Sequence, residues 1–337
     1  MVGRNSLRFV HSRLMKFPIV TDAEIARTRS GRAGARTPKP PWLKVAAPMG
    51  GRYRAITERL KTLGLATVCQ EAHCPNIGEC WGGGTATIML MGEVCTRGCR
   101  FCAVQTGRPK PLDPDEPLNA ATAVTEMGVD YIVLTSVNRD DLPDGGSGHF
   151  AQTVRELKRL DPKLMVEVLI PDFFGDITAV DVLIDAGPEV IAHNVETTPG
   201  LTRRVRDARA TFERSIKILD YIDKAGAGRA PGGVDILAKT SIMLGLGETE
   251  PEVLETLEAL RSVGTDVVTF GQYLQPTPKH LEVEEYVHPD QFDRYAEVAR
   301  EMGFVYVASG PLVRSSYRAG EYYLHAHIDE MRREARP

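Results

Sequence analysis

The six cysteines of the chain fall in two groups: Cys69, Cys74 and Cys80, then Cys95, Cys99 and Cys102. A triplet of thiolates holds three corners of a four-cornered metal site, and the open fourth corner is where chemistry takes place. In Cys95-Thr-Arg-Gly-Cys99-Arg-Phe-Cys102 the intervals of three and two residues let one loop wrap three irons of a four-iron cube. Gly98 turns that loop where a Cβ would obstruct it. The fourth iron is then open to chelation by the amine and carboxylate of a bound amino acid. Structural zinc is the competing chemistry, but it closes with four Cys or His ligands, commonly from C-x2-C pairs. Neither triplet is built from two such pairs, although His73 beside Cys74 can complete the first.

The spacing of the second triplet is typical of a [4Fe–4S] cluster that binds S-adenosylmethionine (SAM). Cys95, Cys99 and Cys102 are therefore the catalytic candidates, since SAM bound in this way takes one electron and splits into methionine and a 5′-deoxyadenosyl radical. The first triplet is longer spaced and less diagnostic. A second [4Fe–4S] cluster uses all six cysteines, and with no seventh in the chain its fourth iron needs another ligand. A hydroxyl oxygen is weak and displaceable, which suits a cluster that must be taken apart.

These residues need elements to hold them. Apolar and β-branched runs predict buried strands at Ile88–Val94, Tyr131–Val137, Leu164–Ile170, Val190–Val195, Ala238–Leu244 and Asp266–Leu274. Amphipathic stretches predict helices near 119–128, 148–160, 176–186, 211–225, 249–263 and 289–302. Strict βα alternation implies an α/β fold with a parallel sheet and right-handed crossovers. No G-x-G-x-x-G follows the first strand, which disfavours a dinucleotide-binding fold; the second triplet stands there instead. Six units predict a partial (β/α)6 TIM-type barrel, open at one side, with Cys95 at the C-terminal end of its first strand. The expected organisation is a flexible extension over 1–41, an auxiliary-cluster segment packing on the barrel over 42–87, the barrel over 88–303, and a C-terminal strand, serine motif and helix over 304–337. The Gly/Pro-rich stretch Ala225–Gly233 reads as a loop.

Composition narrows the partners. The chain has 41 basic and 45 acidic side chains and a net charge of -4, too balanced for wholesale binding to nucleic acid or anionic membrane. No apolar run reaches the roughly 18 residues of a membrane span, and the N-terminus lacks the apolar core of a secretory signal. Cysteines crowded between 69 and 102 of a long chain suit thiolate ligands in a reducing compartment rather than a disulfide framework. The cytoplasm is expected, with the mitochondrial matrix as the alternative. Up to about Pro41, basic residues such as Arg4, Arg8, Arg13 and Lys16 face only Asp22 and Glu24, which reads as a loosely draped leader or an organellar transit peptide.

The chain resembles the lipoyl synthase family from Lys39-Pro-Pro-Trp-Leu-Lys44 to about Glu321. The likeness includes both triplets in order, Ser136-Val-Asn-Arg-Asp-Asp-Leu-Pro-Asp-Gly-Gly146, His193-Asn-Val-Glu-Thr197, Gly245-Leu-Gly-Glu-Thr249, Gly271-Gln-Tyr-Leu-Gln-Pro276 and Arg314-Ser-Ser-Tyr317. It implies two [4Fe–4S] clusters, SAM, and insertion of two sulfurs at carbons 6 and 8 of an octanoyl group on a carrier protein. The cluster of Cys69, Cys74 and Cys80 is implied as the sulfur donor, with a serine as fourth ligand: Ser316, or Ser315 as the alternative. A helix N-cap is the plainer role for that pair. Implied partners are an octanoylated lipoyl domain or related carrier, an electron donor such as ferredoxin or flavodoxin, and an iron–sulfur carrier that rebuilds the donor cluster. A biotin-synthase-like or methylthio-transferring enzyme shares the second triplet but not the first triplet together with the serine motif.

Ser136, Asn138 and Asp140 are candidates for the methionine or ribose part of SAM, against ordinary turn chemistry. Asn194 and Glu196 end the fourth strand toward the same mouth. Gly245-Leu-Gly-Glu248 either brings backbone close to adenine or makes a plain strand-to-helix turn. Arg203, Arg204 and Arg206 form a run that can dock an acidic carrier or simply be solvated, and His325 and His327 read as solvated.

Overall fold

The structure is a computed structural model that describes residues 38–45, 51–71, 74, 76–77, 80, 87–316 and 318–335. The chain divides into Met1–Pro38 and Lys39–Pro337, and the account below concerns the second unit. The expected N-terminal extension, apart from residues 38–41, lies outside the described residues. So do His73 and Tyr317.

An eight-stranded sheet runs in chain order through β1 (Ala66–Thr67), β2 (Thr87–Leu90), β5 (Tyr131–Ser136), β6 (Met165–Leu169), β7 (Val190–Ala192), β8 (Leu237–Leu244), β9 (Val267–Gln272) and β10 (Tyr306–Gly310). A separate ribbon pairs β3 (Val94–Cys95) with β4 (Gln105–Thr106). Only β1 is antiparallel, and β10, the expected C-terminal strand, pairs in parallel with β9. The two edge strands do not pair, so the barrel is partial. Helices follow the strands: α1 (Gly51–Thr62) precedes the sheet, then come α2 (Glu116–Met127), α3 (Ser147–Leu160), α4 (Ile177–Ile184), α5 (Phe212–Ala225), α6 (Glu250–Ser262), α7 (Pro289–Glu301) and α8 (Arg318–Glu334). Their starts carry side-chain caps: Asp176 accepts from Thr178 N, Thr211 from Arg214 N, and Thr249 and Glu252 make a reciprocal box. The Gly/Pro-rich stretch after α5 forms a loop, pinched by an antiparallel bridge between Ala230 and Val234.

One expected strand was too long. The run from Ile88 to Val94 breaks after Leu90, where Met91 (φ 67°) and Gly92 (φ 87°) turn left-handed. The cause lies on α2: the Glu116 carboxylate takes the Met91 N–H at 2.8 Å and His149 Nε2 at 2.6 Å, pulling the backbone out of the sheet. Cys95 therefore sits on the short β3–β4 ribbon rather than directly on the end of β2.

Strand side chains alternate between the outer helices and the lumen. At the N-terminal ends Tyr131, Met165, Val190, Leu237 and Val267 meet Leu324 and Ile328 of α8, which plug the lumen with apolar bulk. One layer up, the buried Lys239 Nζ lies 2.7 and 2.8 Å from the Glu167 carboxylate, which also accepts from the Tyr131 hydroxyl at 2.6 Å. Above them Thr135, Leu169, Ser241 and Gly271 are smaller or polar and leave space. Lys158 and Arg332 converge on Glu189, tying α3 and α8 to the same closed end.

Replacing Lys239 by Met strands the Glu167 charge in the lumen and is expected to cost about 3–5 kcal/mol, read as lower urea and thermal midpoints. Adding Glu167→Gln keeps an acceptor for Tyr131 while removing the charge, and should recover most of that loss. Midpoints unchanged by Lys239→Met would show that the pair contributes nothing.

Candidate active site

The open end of the lumen is a cavity of about 480 Å³. Cys69 and Cys74 of the first triplet, Cys95, Cys99 and Cys102 of the second, and Ser315 and Ser316 all line it. No disulfide joins any of the six cysteines. Among the described residues no three His, Cys, Asp or Glu side chains converge as ligands of a single ion.

The second triplet is braced from three sides. Cys95 Sγ accepts backbone N–H bonds from Arg97 at 3.4 Å and Asn138 at 3.3 Å, and Cys99 Sγ accepts one from Asp207 at 3.3 Å. Amide donors aimed at sulfur suit the thiolate form and tune a bound cluster. Without metal, burial pushes Cys99 up to about 11 and Cys102 up to about 12, which keeps these two thiols protonated. A metal bound at these sulfurs would have to displace those protons.

The loop itself is pinned by charge. Arg97 forks onto Asp140 at 2.9 Å and reaches Asp172 at 2.7 Å, with Arg97 and Asp172 both almost wholly enclosed. Burial alone would raise Asp172, but the Arg97 guanidinium outweighs it and holds the carboxyl below its usual range. The Asp207 carboxylate accepts the Gly98 N–H at 2.8 Å and is paired with Arg209, which holds it far down. Arg209 in turn donates to the Thr96 carbonyl at 2.8 Å.

Among the expected SAM contacts, Ser136, Asn138, Asn194 and Glu196 line the cavity. Ser136 Oγ and Asn194 Oδ1 are buried with no partner, a cost that a ligand would relieve. Glu196 is held left-handed (φ 69°) by bonds from its N–H to Ser241 and to its carbonyl from Met243 N. Burial raises its carboxyl, against Arg206 and Asn194. Asp140 lies elsewhere: it borders a smaller hollow of about 170 Å³, with its carboxylate engaged by Arg97 and Arg209. It braces the cluster loop rather than facing the main cavity. The Gly245–Glu248 stretch is also outside the cavity lining; the Glu248 carboxylate accepts from Gly245 N and Leu246 N and closes a strand-to-helix turn.

The arginine run corrects a second expectation. Arg203 and Arg204 are exposed and Arg204 pairs with Glu284, whereas Arg206 is 7% exposed, bonds Ser215 and lines the cavity. The short helix Thr202–Val205 ends just before it and turns its side chain inward. Three charges therefore do not form one surface patch. His327 is half-buried in α8, and the side chain of His325 lies outside the described residues.

The first triplet is tied to the C-terminal motif. Cys74 N bonds the Cys69 carbonyl, Cys80 N bonds the Asn76 carbonyl, and Asn76 Nδ2 donates to the Leu312 carbonyl at 2.6 Å. Thr87 Oγ1 donates to Ser316 Oγ at 2.9 Å. Segment 311–316 crosses β9 so closely that a Cβ on Gly271 would lie 2.2 Å from the Val313 carbonyl, which explains glycine there. Cys80 is buried nearby but outside the cavity lining.

A family model of the Radical SAM superfamily matches residues 89–270. The N-terminal domain of lipoyl synthase of the radical SAM family matches residues 18–74. Lipoyl synthase 1, chloroplastic, of Populus trichocarpa is 57% identical over 303 residues, covering 88% of this chain and 79% of that one. The chain belongs to the lipoyl synthase family. The lipoyl synthase of Halorubrum lacusprofundi is 58% identical over 299 residues, 87% of this chain and 93% of that one. A solved structure, HydG, a maturase of the [FeFe]-hydrogenase, superposes with a TM-score of 0.51 at 14% identity, covering 79% of this chain and 57% of that one. At that identity the likeness concerns the fold alone, a partial TIM-type barrel.

As a lipoyl synthase family member of the radical SAM superfamily, the chain is an enzyme whose cofactors are SAM and [4Fe–4S] clusters. The residues present fit them: three free thiols with amide donors on one loop, and unpartnered Ser136 and Asn194 oxygens beside them. Sequence reading passed over Arg97, Asp172 and Arg206 as parts of the site. A buried arginine sandwiched between cysteines was the available signal for Arg97. Asp172 gave none, because its partner is remote in sequence.

His193 also lines the cavity, 2% exposed, with Nδ1 donating to the Ile170 carbonyl and Nε2 accepting from Ser215. Burial, with Arg206 adding to it, lowers it from 6.5 to about 4. Between those values the unfolded chain binds the extra proton, so stability falls as pH drops, by about 3 kcal/mol in all. Asp266, pushed up to about 6 by burial, works in the opposite direction. The His193 share is therefore read as a difference: His193→Gln should flatten the loss of urea stability between pH 6.5 and 4. Parallel stability curves for the two proteins would remove His193 from the account.

Proposed function

We infer that this chain inserts sulfur at carbons 6 and 8 of an octanoyl group carried on a lysine of a lipoyl domain or related carrier protein. The observation that supports this reading is that ligands of both triplets, with Ser315 and Ser316, line one cavity. A radical source and a sulfur source in one chamber suit two substitutions at unactivated carbons, where no general base finds an acidic proton. When bound, SAM on a [4Fe–4S] cluster supplies one-electron cleavage and a carbon radical able to abstract hydrogen.

The chain's own residues hold and enclose. Cys95, Cys99 and Cys102 ligate the cofactor cluster, while Arg97, Asp140, Asp172, Asp207 and Arg209 fix the loop that carries them. Ser136, Asn138, Asn194 and Glu196 orient SAM, with Glu196 preset by its backbone. Met89, Leu169 and Met243 give the lumen apolar walls against which an octanoyl chain can lie away from water. The cluster on Cys69, Cys74 and Cys80 serves as a sulfur-donating substrate, with Ser316 as fourth ligand and Ser315 as the alternative. Residues 42–87 act as the donor segment on the barrel of 88–303, and 304–337 supply the serine and the plug.

The partners follow from the chemistry: an octanoylated carrier, a reductant such as ferredoxin or flavodoxin, and an iron–sulfur carrier to rebuild the donor cluster. No helix among the described residues is long and apolar enough to cross a membrane. The compartment proposed is the cytoplasm, with the mitochondrial matrix as the second reading; one relative from Bos taurus is named mitochondrial.

Anaerobically reconstituted protein should carry about eight irons per chain, as two four-iron clusters require. Incubated with SAM, a reductant and an octanoylated carrier peptide, it should add two sulfurs to the peptide by mass. Cys69→Ala should still yield 5′-deoxyadenosine while the peptide gains no sulfur. Sulfur added by Cys69→Ala would overturn the assignment of the first triplet.

A further inference from the structure

Arg314 lines the cavity together with Cys74 and Ser316, and among the described residues no ion pair holds it. Its Nη1 donates to the Val313 carbonyl at 2.6 Å and more distantly to the Pro311 carbonyl at 3.4 Å. Among the described residues no carboxylate pairs with it. The other cavity arginines differ: Arg97 has two carboxylates, and Arg206 has Glu196 within electrostatic reach. The Cys74 sulfur of the first triplet is within electrostatic reach of Arg314. The guanidinium is not adrift at a surface. Asn76 ties the preceding residues to the first triplet through Leu312, and Gly271 admits the segment against β9 with no room for a Cβ.

A half-buried cation with no carboxylate among the described residues is held at a cost, which opposite charge arriving in the cavity relieves. A four-iron cluster held by three thiolates and a serine oxygen carries net negative charge, and it would arrive on this side of the cavity. We propose that Arg314 is the charge partner of the cluster on Cys69, Cys74 and Cys80, favouring its retention and its reduced state. The proposal rests on the reading that this triplet holds a cluster. Arg314 thus prepares the apo protein for an anionic occupant, and the second triplet, braced by amide donors, does not depend on it.

The test compares wild type with Arg314→Met and Arg314→Lys, all full-length and reconstituted anaerobically. In Arg314→Met, iron of the first triplet should be lost to a chelator at least about tenfold faster, while the second cluster stays and SAM cleavage runs at the wild-type rate. The donor cluster's reduction equilibrium, followed by electron paramagnetic resonance, should shift about tenfold against the reduced form, equivalent to about 59 mV. Arg314→Lys should restore most of both effects, because it keeps the charge. Metal-free Arg314→Met should melt no lower than metal-free wild type, since it removes an uncompensated charge. Equal chelator rates and equal potentials in wild type and Arg314→Met would overturn the proposal. So would a metal-free Arg314→Met protein that melts as far below wild type as the loaded one does, which would make the side chain a strut for the 311 and 313 carbonyls. Wild-type protein that binds only one cluster would instead sink the underlying reading, a separate outcome visible without any variant.

Discussion

The lumen of a partial barrel has to be filled at one end and left empty at the other, and the site depends on where that change occurs. Strand periodicity makes the transition sharp. Moving two residues along β5, β6 or β8 replaces Tyr131, Met165 or Leu237 by Val133, Glu167 or Lys239, and two more by Thr135, Leu169 or Ser241. Apolar bulk closes the bottom against α8, an ion pair satisfied by Tyr131 forms the middle layer, and side chains too small or polar to fill the lumen stand above it. The Glu167 carboxylate is satisfied there by both Lys239 and Tyr131, and satisfied buried networks of this kind help specify one packing. The cavity floor is thus a consequence of the same layers that stabilise the barrel.

Above that floor the protein must hold a loop rich in thiols without letting it collapse on itself. Apolar packing is poorly suited to the task, since Cys95, Cys99 and Cys102 are all partly open to the cavity. The structure uses charge instead. Arg97 reaches Asp140 beyond β5 and Asp172 beyond β6, while Asp207 and Arg209 beyond β7 grip the loop at Gly98 and Thr96. The strand ends thereby register the loop against each other, so the barrel sets the spacing of the sulfurs. Enclosed ion pairs of this kind give geometric definition more reliably than they give net stability.

Much of this was legible in the sequence for identifiable reasons. Parallel strands buried on both faces appear as continuous apolar runs, so β5, β6, β8 and β9 could be read almost to their ends. Cysteine spacing singled out two groups because few residue types bind iron, and the structure brings five of those cysteines to one cavity. What escaped depends on partners remote in the chain. The break after Leu90 is imposed by Glu116 and His149, neither of which marks residues 88–94 as interrupted. Asp140 looks like a ligand contact beside Asn138 until Arg97 takes its carboxylate. Arg206 looks like one member of a surface run until the end of a one-turn helix turns it inward.

The two triplets differ in how firmly the protein commits to them, and the difference suits unequal fates. Cys95 and Cys99 receive N–H donors from residues 97, 138 and 207, so their sulfurs are fixed by three separate stretches of chain. Each donor stabilises thiolate in place and discourages exchange. The fourth corner assigned to the first triplet works the other way. Thr87 donates its hydroxyl proton to Ser316 Oγ, occupying a lone pair and making that oxygen a poorer donor to iron. A ligand weakened by a neighbouring hydroxyl can hold a cluster in register and still give way. A cluster that yields sulfur needs an iron whose coordination can change first, and a Thr87-bonded serine meets that requirement better than a fourth thiolate would.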